Sequence, residues 1–152
     1  MNFYNLRTFT LLRMNLHTMR GFTLLEIIIV IIIVGVLASL ALPRFFRTVE
    51  YARSTEALNS MGSIRQSMER CYLQRNGSYS NCNTFNNLDL TNPGTSPNAH
   101  FAYTFSGASA TGYTITATRN TLEGGDGTST VVVTQTATTV TRSGTGAYSG
   151  IQ

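Results

Sequence analysis

The stretch Arg20-Gly21-Phe22-Thr23-Leu24-Leu25-Glu26-Ile27-Ile28-Ile29 sets one carboxylate just inside an oily run, next to a glycine and an arginine. A charge beside lipid is costly and marks a position with a use. Two further sets of residues have types suited to chemistry. Cys71 and Cys82 stand eleven positions apart in a polar, Asn-rich context, which in an exported domain reads as one short-loop disulfide. Two free thiols in a reducing compartment are the alternative. Glu123 and Asp126 flank Gly124-Gly125 in "LEGGDGTS". A calcium cage takes roughly 6–8 oxygen ligands, so two acids in a Gly-rich stretch read first as a turn. The cysteines with His17 and His100 make no metal set. No nucleophile motif, phosphate loop or paired carboxylate set occurs, so neither an enzyme nor a cofactor is expected.

A chain of 152 residues allows one domain at most, plus the oily run. Charged residues are only 12% of the chain, against the roughly 25% usual for soluble domains. Arg7, Arg13 and Arg20 precede the oily run and all seven acids follow Gly21, leaving eight arginines against seven acids, net +1, beyond that glycine. The basic balance thus belongs to the N-terminal segment, and a nucleic-acid partner is not indicated.

From Ile27 to Leu42 nothing is charged and Ser39 is the only hydroxyl. With Phe22 to Leu25 added, the run is about long enough to cross a bilayer as a helix, which needs roughly 20 residues. Its isoleucines and valines favour strand in water, but in lipid the backbone must satisfy itself and helix wins. Gly35 is a soft point and Pro43 the expected kink. A plain anchor leaves Glu26 unexplained. A secretory signal cut after Ala41, at Ser39-Leu40-Ala41, would discard the run, yet a helical pattern continues through that site. Arg44, Arg47 and Arg53 balance the three upstream arginines, so charge does not set the orientation. The cysteine pair places the C-terminal part outside.

Beyond Pro43, Ala57, Met61, Ile64, Met68, Cys71 and Tyr72 recur at spacings of three and four, one apolar helix face. Arg53, Glu56, Arg65, Gln66, Glu69 and Arg70 form a solvated opposite face, and Asn76-Gly77 stops the helix. Residues 77–99 read as a loop. "HFAYTF" (100–105), "GYTITATR" (112–119), "STVVVTQ" (129–135) and "TTVTR" (138–142) alternate as strands. The economical arrangement is α+β: a long helix covering an antiparallel sheet of three or four strands. The tail "SGTGAYSGIQ" reads as a frayed terminus, with an exposed surface loop as the alternative.

"RGFTLLEIIIVIIIVGVLASLALP", residues 20–43, resembles the class III signal of type IV pilins and of the pseudopilins of type II secretion. The resemblance covers about a sixth of the chain. It implies a pilin-like fold with a leader at 1–21, a membrane and filament-core helix at 22–43, its amphipathic continuation at 44–76, a disulfide loop at 77–99, and sheet and tail at 100–152. A leader of 21 residues is long for such a protein, and a start at Met14 gives the more typical "MNLHTMRG"; Met19 also lies upstream of the cut. The resemblance further implies cleavage between Gly21 and Phe22 by a prepilin peptidase, N-methylation of Phe22, and an assembly contact between the Phe22 amine of one subunit and Glu26 of another. The implied life cycle is a single-pass inner-membrane precursor, then a homo-polymer on the cell surface, built by an assembly platform and its ATPase. Major pseudopilins hold calcium near their C-terminus, which keeps Glu123 and Asp126 in view. The disulfide loop and the lack of a fuller ligand set favour a pilus over a periplasmic pseudopilus. A membrane-anchored or secreted binding domain that never assembles is the rival from another class. N-terminal sequencing of the mature protein is expected to begin at methylated Phe22; a chain starting at Leu42 contradicts this reading.

Overall fold

The computed structural model describes residues 21–151. Residues 1–20 of the expected leader at 1–21, with the Met14 and Met19 starts, lie outside the described residues. One helix, α1 (Leu24–Gln74), opens the described chain. The chain divides into two units, up to Ser39 and from Leu40 onward, and each has its own chemistry.

In the first unit every described residue from Gly21 to Ser39 is exposed. Its sequence is apolar on all sides, which for a helix signals burial in lipid or among other helices. By length and composition α1 is the one helix among the described residues able to cross a membrane.

The second unit begins inside α1 and contains Pro43, which lies within the helix. Farther along, Ser54, Ala57, Met61, Ile64, Ser67, Met68 and Cys71 are buried. The expected apolar stripe is there, with Tyr72 half-buried, and two serines extend it. Ser54 donates to the Tyr51 carbonyl at 2.6 Å and Ser67 donates to Asp89, so neither buried hydroxyl is left without a partner. The opposite face is less uniform than the spacing implied. Gln66, Glu69 and Arg70 are exposed, but Arg53, Glu56 and Arg65 are half-buried. The helix ends at Gln74 because Asn76 (φ 56°) and Gly77 (φ 79°) are both left-handed. Cys71 and Cys82 are disulfide-bonded, with Cα atoms 6.1 Å apart, and the bond ties the outgoing loop to the helix.

Four strands follow: β1 (Phe101–Ser106), β2 (Tyr113–Arg119), β3 (Thr130–Gln135) and β4 (Val140–Gly144). They form one antiparallel sheet in the order β1-β2-β3-β4. Alternation assigns the faces. Phe101, Tyr103, Tyr113, Ile115, Ala117, Val131 and Val133 share one buried core with the α1 stripe. Thr104, Thr114, Thr116 and Thr134 lie on the other face. The α+β architecture expected from the sequence is the one observed.

The tail departs from expectation. Tyr148 is 0% exposed and Ile151 7%, so the terminus is part of the core. The Tyr148 ring lies 5.6 Å from that of Phe101, and its hydroxyl donates to Glu50 at 2.9 Å. A Cβ at Gly144 would strike the Tyr148 carbonyl, so only glycine allows the tail to lie this close. An aromatic in a small, polar context had found a partner too distant in sequence to be visible there.

Replacing both Cys71 and Cys82 with serine frees a short loop, and is expected to cost about 3 kcal/mol. Urea unfolding of the full chain in micelles checks this; an unchanged midpoint contradicts it.

Candidate functional site

Two groups of residues concentrate charge where it has consequences. The first is the start of α1. Thr23 precedes the helix, and its hydroxyl accepts from the Glu26 N–H at 3.2 Å. Its carbonyl accepts from the N–H groups of Glu26 and Ile27 at 3.1 and 3.3 Å. Thr23 therefore caps the helix, and Glu26 stands at the third helical position, the spacing of a capping box. The reciprocal half of that box is not made. The Glu26 carboxylate has neither a hydrogen bond nor an ion pair among the described residues, and it is exposed. Around it Phe22 (77%), Leu24 (84%) and Leu25 (76%) are exposed as well. A carboxylate in the first turn suits the helix dipole, which accounts for its helical position but not for its apolar surroundings. Chemically the arrangement presents one unneutralised anion on an apolar surface, five positions beyond Gly21.

The second group lies in the folded head. Arg119 closes β2 and is 1% exposed. Its guanidinium donates from Nε and Nη2 to the two Glu50 oxygens at 3.0 and 3.2 Å, and from Nη1 to the carbonyls of His100 and Asn120. The Phe101 ring lies 6.0 Å away. Glu50 also accepts from Tyr148 and lies 3.6 Å from Arg53. The Arg119 bond holds the Glu50 carboxyl below its ordinary range, against the effect of burial. Burial and the same carboxylate push the Tyr148 phenol up.

The network continues outward. Arg53 pairs with Glu123 at 2.6 Å, and His100 lies between Glu56 (2.7 Å) and Glu123 (3.3 Å). The Arg53 bond lowers the Glu123 pKa, with His100 adding to it. Asp126 faces elsewhere: it accepts from the N–H groups of Thr128 and Ser129 and from the Ser129 hydroxyl, which hold it down at about 2. Glu123 and Asp126 thus each serve a different protein partner. On the other side of the head, Arg70 and Ser67 hold Asp89 at about 2. The Arg53, His100 and Arg70 pairs fix loops to the helix, and Asp126 braces its own loop.

The sequence reading placed Cys71 and Cys82 together, and they are bonded. Gly21, Phe22 and Glu26 stand together at the N-terminal end of the described chain. Glu50, Arg119 and Tyr148 were missed. A signal was present, because period-two alternation through Tyr113, Ile115 and Ala117 puts Arg119 on the same inward face. A cation at a core position demands an anion, and Glu50 supplies it.

Two family comparisons match the chain. Residues 43–130 match the family described as type IV minor pilin ComP, DNA uptake sequence receptor. Residues 16–42 match the prokaryotic N-terminal methylation motif. A probable minor fimbrial protein of Dichelobacter nodosus is 43% identical over 53 residues, 35% of this chain and 33% of that protein. The type IV major fimbrial protein FimA of the same organism is 33% identical over 54 residues, 36% of this chain and 35% of its own length. The type II secretion system core protein G of Pectobacterium carotovorum subsp. carotovorum is 40% identical over 60 residues, 40% of this chain and 38% of that protein. The chain thus spans little more than a third of the length of these relatives.

Removing one partner of a buried ion pair is expected to cost about 3–5 kcal/mol, so Arg119→Met should destabilise the head by that much in urea unfolding. Adding Glu50→Gln should recover part of the loss. Since Arg119 lowers the Glu50 pKa, the pair's contribution is complete above the ordinary value of 4.5 and is lost as pH falls through the depressed one. A loss below about 1 kcal/mol in Arg119→Met would fall short of the cost of stranding a buried charge and contradict this account.

Proposed function

The chain belongs to the type IV minor pilin family described as ComP, DNA uptake sequence receptor, and from that membership we propose that it is a type IV pilus subunit that polymerises through its N-terminal helix. Members of this family are structural subunits, not enzymes. The apolar N-terminal helix and the pilin relatives fit a membrane-anchored precursor that assembles into a filament.

The finer steps of the proposal are these. Prepilin peptidase cuts between Gly21 and Phe22 and the new Phe22 amine is methylated. The processed chain waits in the inner membrane as a single-pass protein until the assembly platform and its ATPase add it to a homo-polymer. The methylation-motif match across residues 16–42 supports the first step. The observation that carries the rest is the Glu26 carboxylate, unpaired on an apolar helix surface.

Lipid tails are as apolar as isoleucine, so transfer from membrane to filament gains little from the hydrophobic effect; packing and polar contacts decide it. A Phe22 ammonium arriving beside Glu26 neutralises both charges. The pair adds little net stability, but a lone buried charge costs about 3–5 kcal/mol. Apolar side chains tolerate many axial offsets, while the charge pair admits one. Glu26 therefore acts as a register device.

The similarity to the type II secretion core protein G favours a second reading, a periplasmic pseudopilus subunit with the same helix and the same pairing. The DNA named in the family description is not required by either reading. In the head, Arg53, Arg70 and Arg119 are already neutralised by Glu123, Asp89 and Glu50.

Glu26→Gln is expected to leave the Phe22 N-terminus correctly processed while lowering sheared filament yield by about tenfold or more, because the arriving amine then stays unpaired. Wild-type filament amounts from this variant would refute the register role.

A further inference from the structure

The sheet has a free edge at β4, and its chemistry is not used by anything above. In the β3–β4 ladder the Thr136 N–H donates to the Thr139 carbonyl and the Thr145 N–H to that of Thr130. In the observed register, Thr134–Thr141 and Val132–Ser143 are then hydrogen-bonded pairs. The N–H and C=O groups of Val140 and Arg142 consequently point away from β3, to a side where none of the described strands lies. Near Gly144 the edge is closed by the tail, so the open part is short and centred on Arg142.

The side chains add a second, independent observation. Arg142 is paired with Val133, a buried core residue, and so extends on the helix side of the sheet. Together with Arg65 of α1 it lines a cavity of about 30 Å³, whose other walls are Leu58, Met61, Gly62 and Val133. Arg65 Nε is buried without a hydrogen-bond partner, and Arg65 also neighbours the Tyr113 hydroxyl, which lies outside the cavity lining. Neither arginine forms an ion pair among the described residues, although Glu69 stands one turn from Arg65; Glu69 accepts instead from Tyr79 at 2.8 Å. Two cations lining one small cavity, with the buried Arg65 Nε unsatisfied, call for an anion.

We propose that the β4 edge docks an extended segment of a different polypeptide, whose aspartate or glutamate enters the cavity between Arg65 and Arg142. Added strands take their affinity from main-chain hydrogen bonds and their specificity from side-chain pockets. A residue opposite Arg142 would place its side chain on the same face, toward the cavity. The size admits a carboxylate, since one water needs roughly 10–15 Å³; a phosphodiester with its sugars is bulkier. The occupant is not β1 of a second copy, because "FAYTFS" carries no acid. Every part of β4 lies beyond residue 130, where the family match ends. The proposal stands whether or not the chain forms filaments.

The test uses the full processed chain in detergent micelles. The probe is a short blocked peptide alternating threonine and valine around a central glutamate, fluorescently labelled, beside its glutamine twin. The glutamate peptide should bind about tenfold or more tightly than the twin, and Arg65→Gln or Arg142→Gln should erase that preference. Val140→Pro removes an outward N–H that β3 does not use, a position where an edge tolerates proline, and should weaken both peptides with the unfolding midpoint unchanged. Equal binding of the two peptides, or a preference that survives Arg142→Gln, overturns the proposal. So does a labelled DNA duplex that binds through these arginines while neither peptide binds.

Discussion

A helix that is oily on every side and carries one unanswered carboxylate cannot rest in water, and it is not at rest in lipid either. That constraint organises the molecule. From Phe22 to Phe46 large apolar side chains are exposed in the isolated chain. A bilayer satisfies all of them except Glu26. A bundle of identical helices satisfies them equally well and, with a free amine at the start of each helix, satisfies Glu26 too. In the proposed filament the polar residue supplies the register that isoleucine and valine cannot express.

The head answers a different demand: a small α+β unit must hold its shape with limited core. It does so partly with covalent and ionic ties. The disulfide closes one end of the helix–loop junction. At the other, the Glu50–Arg119–Tyr148 cluster binds α1 to β2 and to the tail across sequence separations of 69 and 98 residues. Burying that arginine is favourable only because carboxylate, carbonyls and an aromatic ring all meet it. Glu123, Arg53, His100 and Glu56 extend the same logic to the β2–β3 loop.

Much of this was legible in the residues. The α1 stripe and the four strands announce themselves through periods of 3.6 and 2, each strand boundary falling within about two residues of its place, and the motif around Gly21 and Glu26 is dense enough to suggest the family. What stayed hidden depends on contacts that no local pattern encodes. "SGTGAYSGIQ" looks like a loose end, yet Tyr148 and Ile151 are core, because the core-facing side of β1 and Glu50 lie within their reach. Arg53 and Glu56 sit at polar helical positions and read as solvated. They are half-buried because the β2–β3 loop and His100 fold over them. Arg119 was readable and unread: its inward register was visible, but the acid it needed was 69 residues away.

The most direct measurement of the central claim is intermolecular solid-state NMR on filaments mixed from two preparations, one carrying ¹⁵N at the Phe22 amine and the other ¹³C at the Glu26 carboxylate. The account predicts a dipolar cross-peak between the two labels, reporting an ammonium and a carboxylate in contact across subunits. Ordered filaments in which the labels show no such coupling would contradict it.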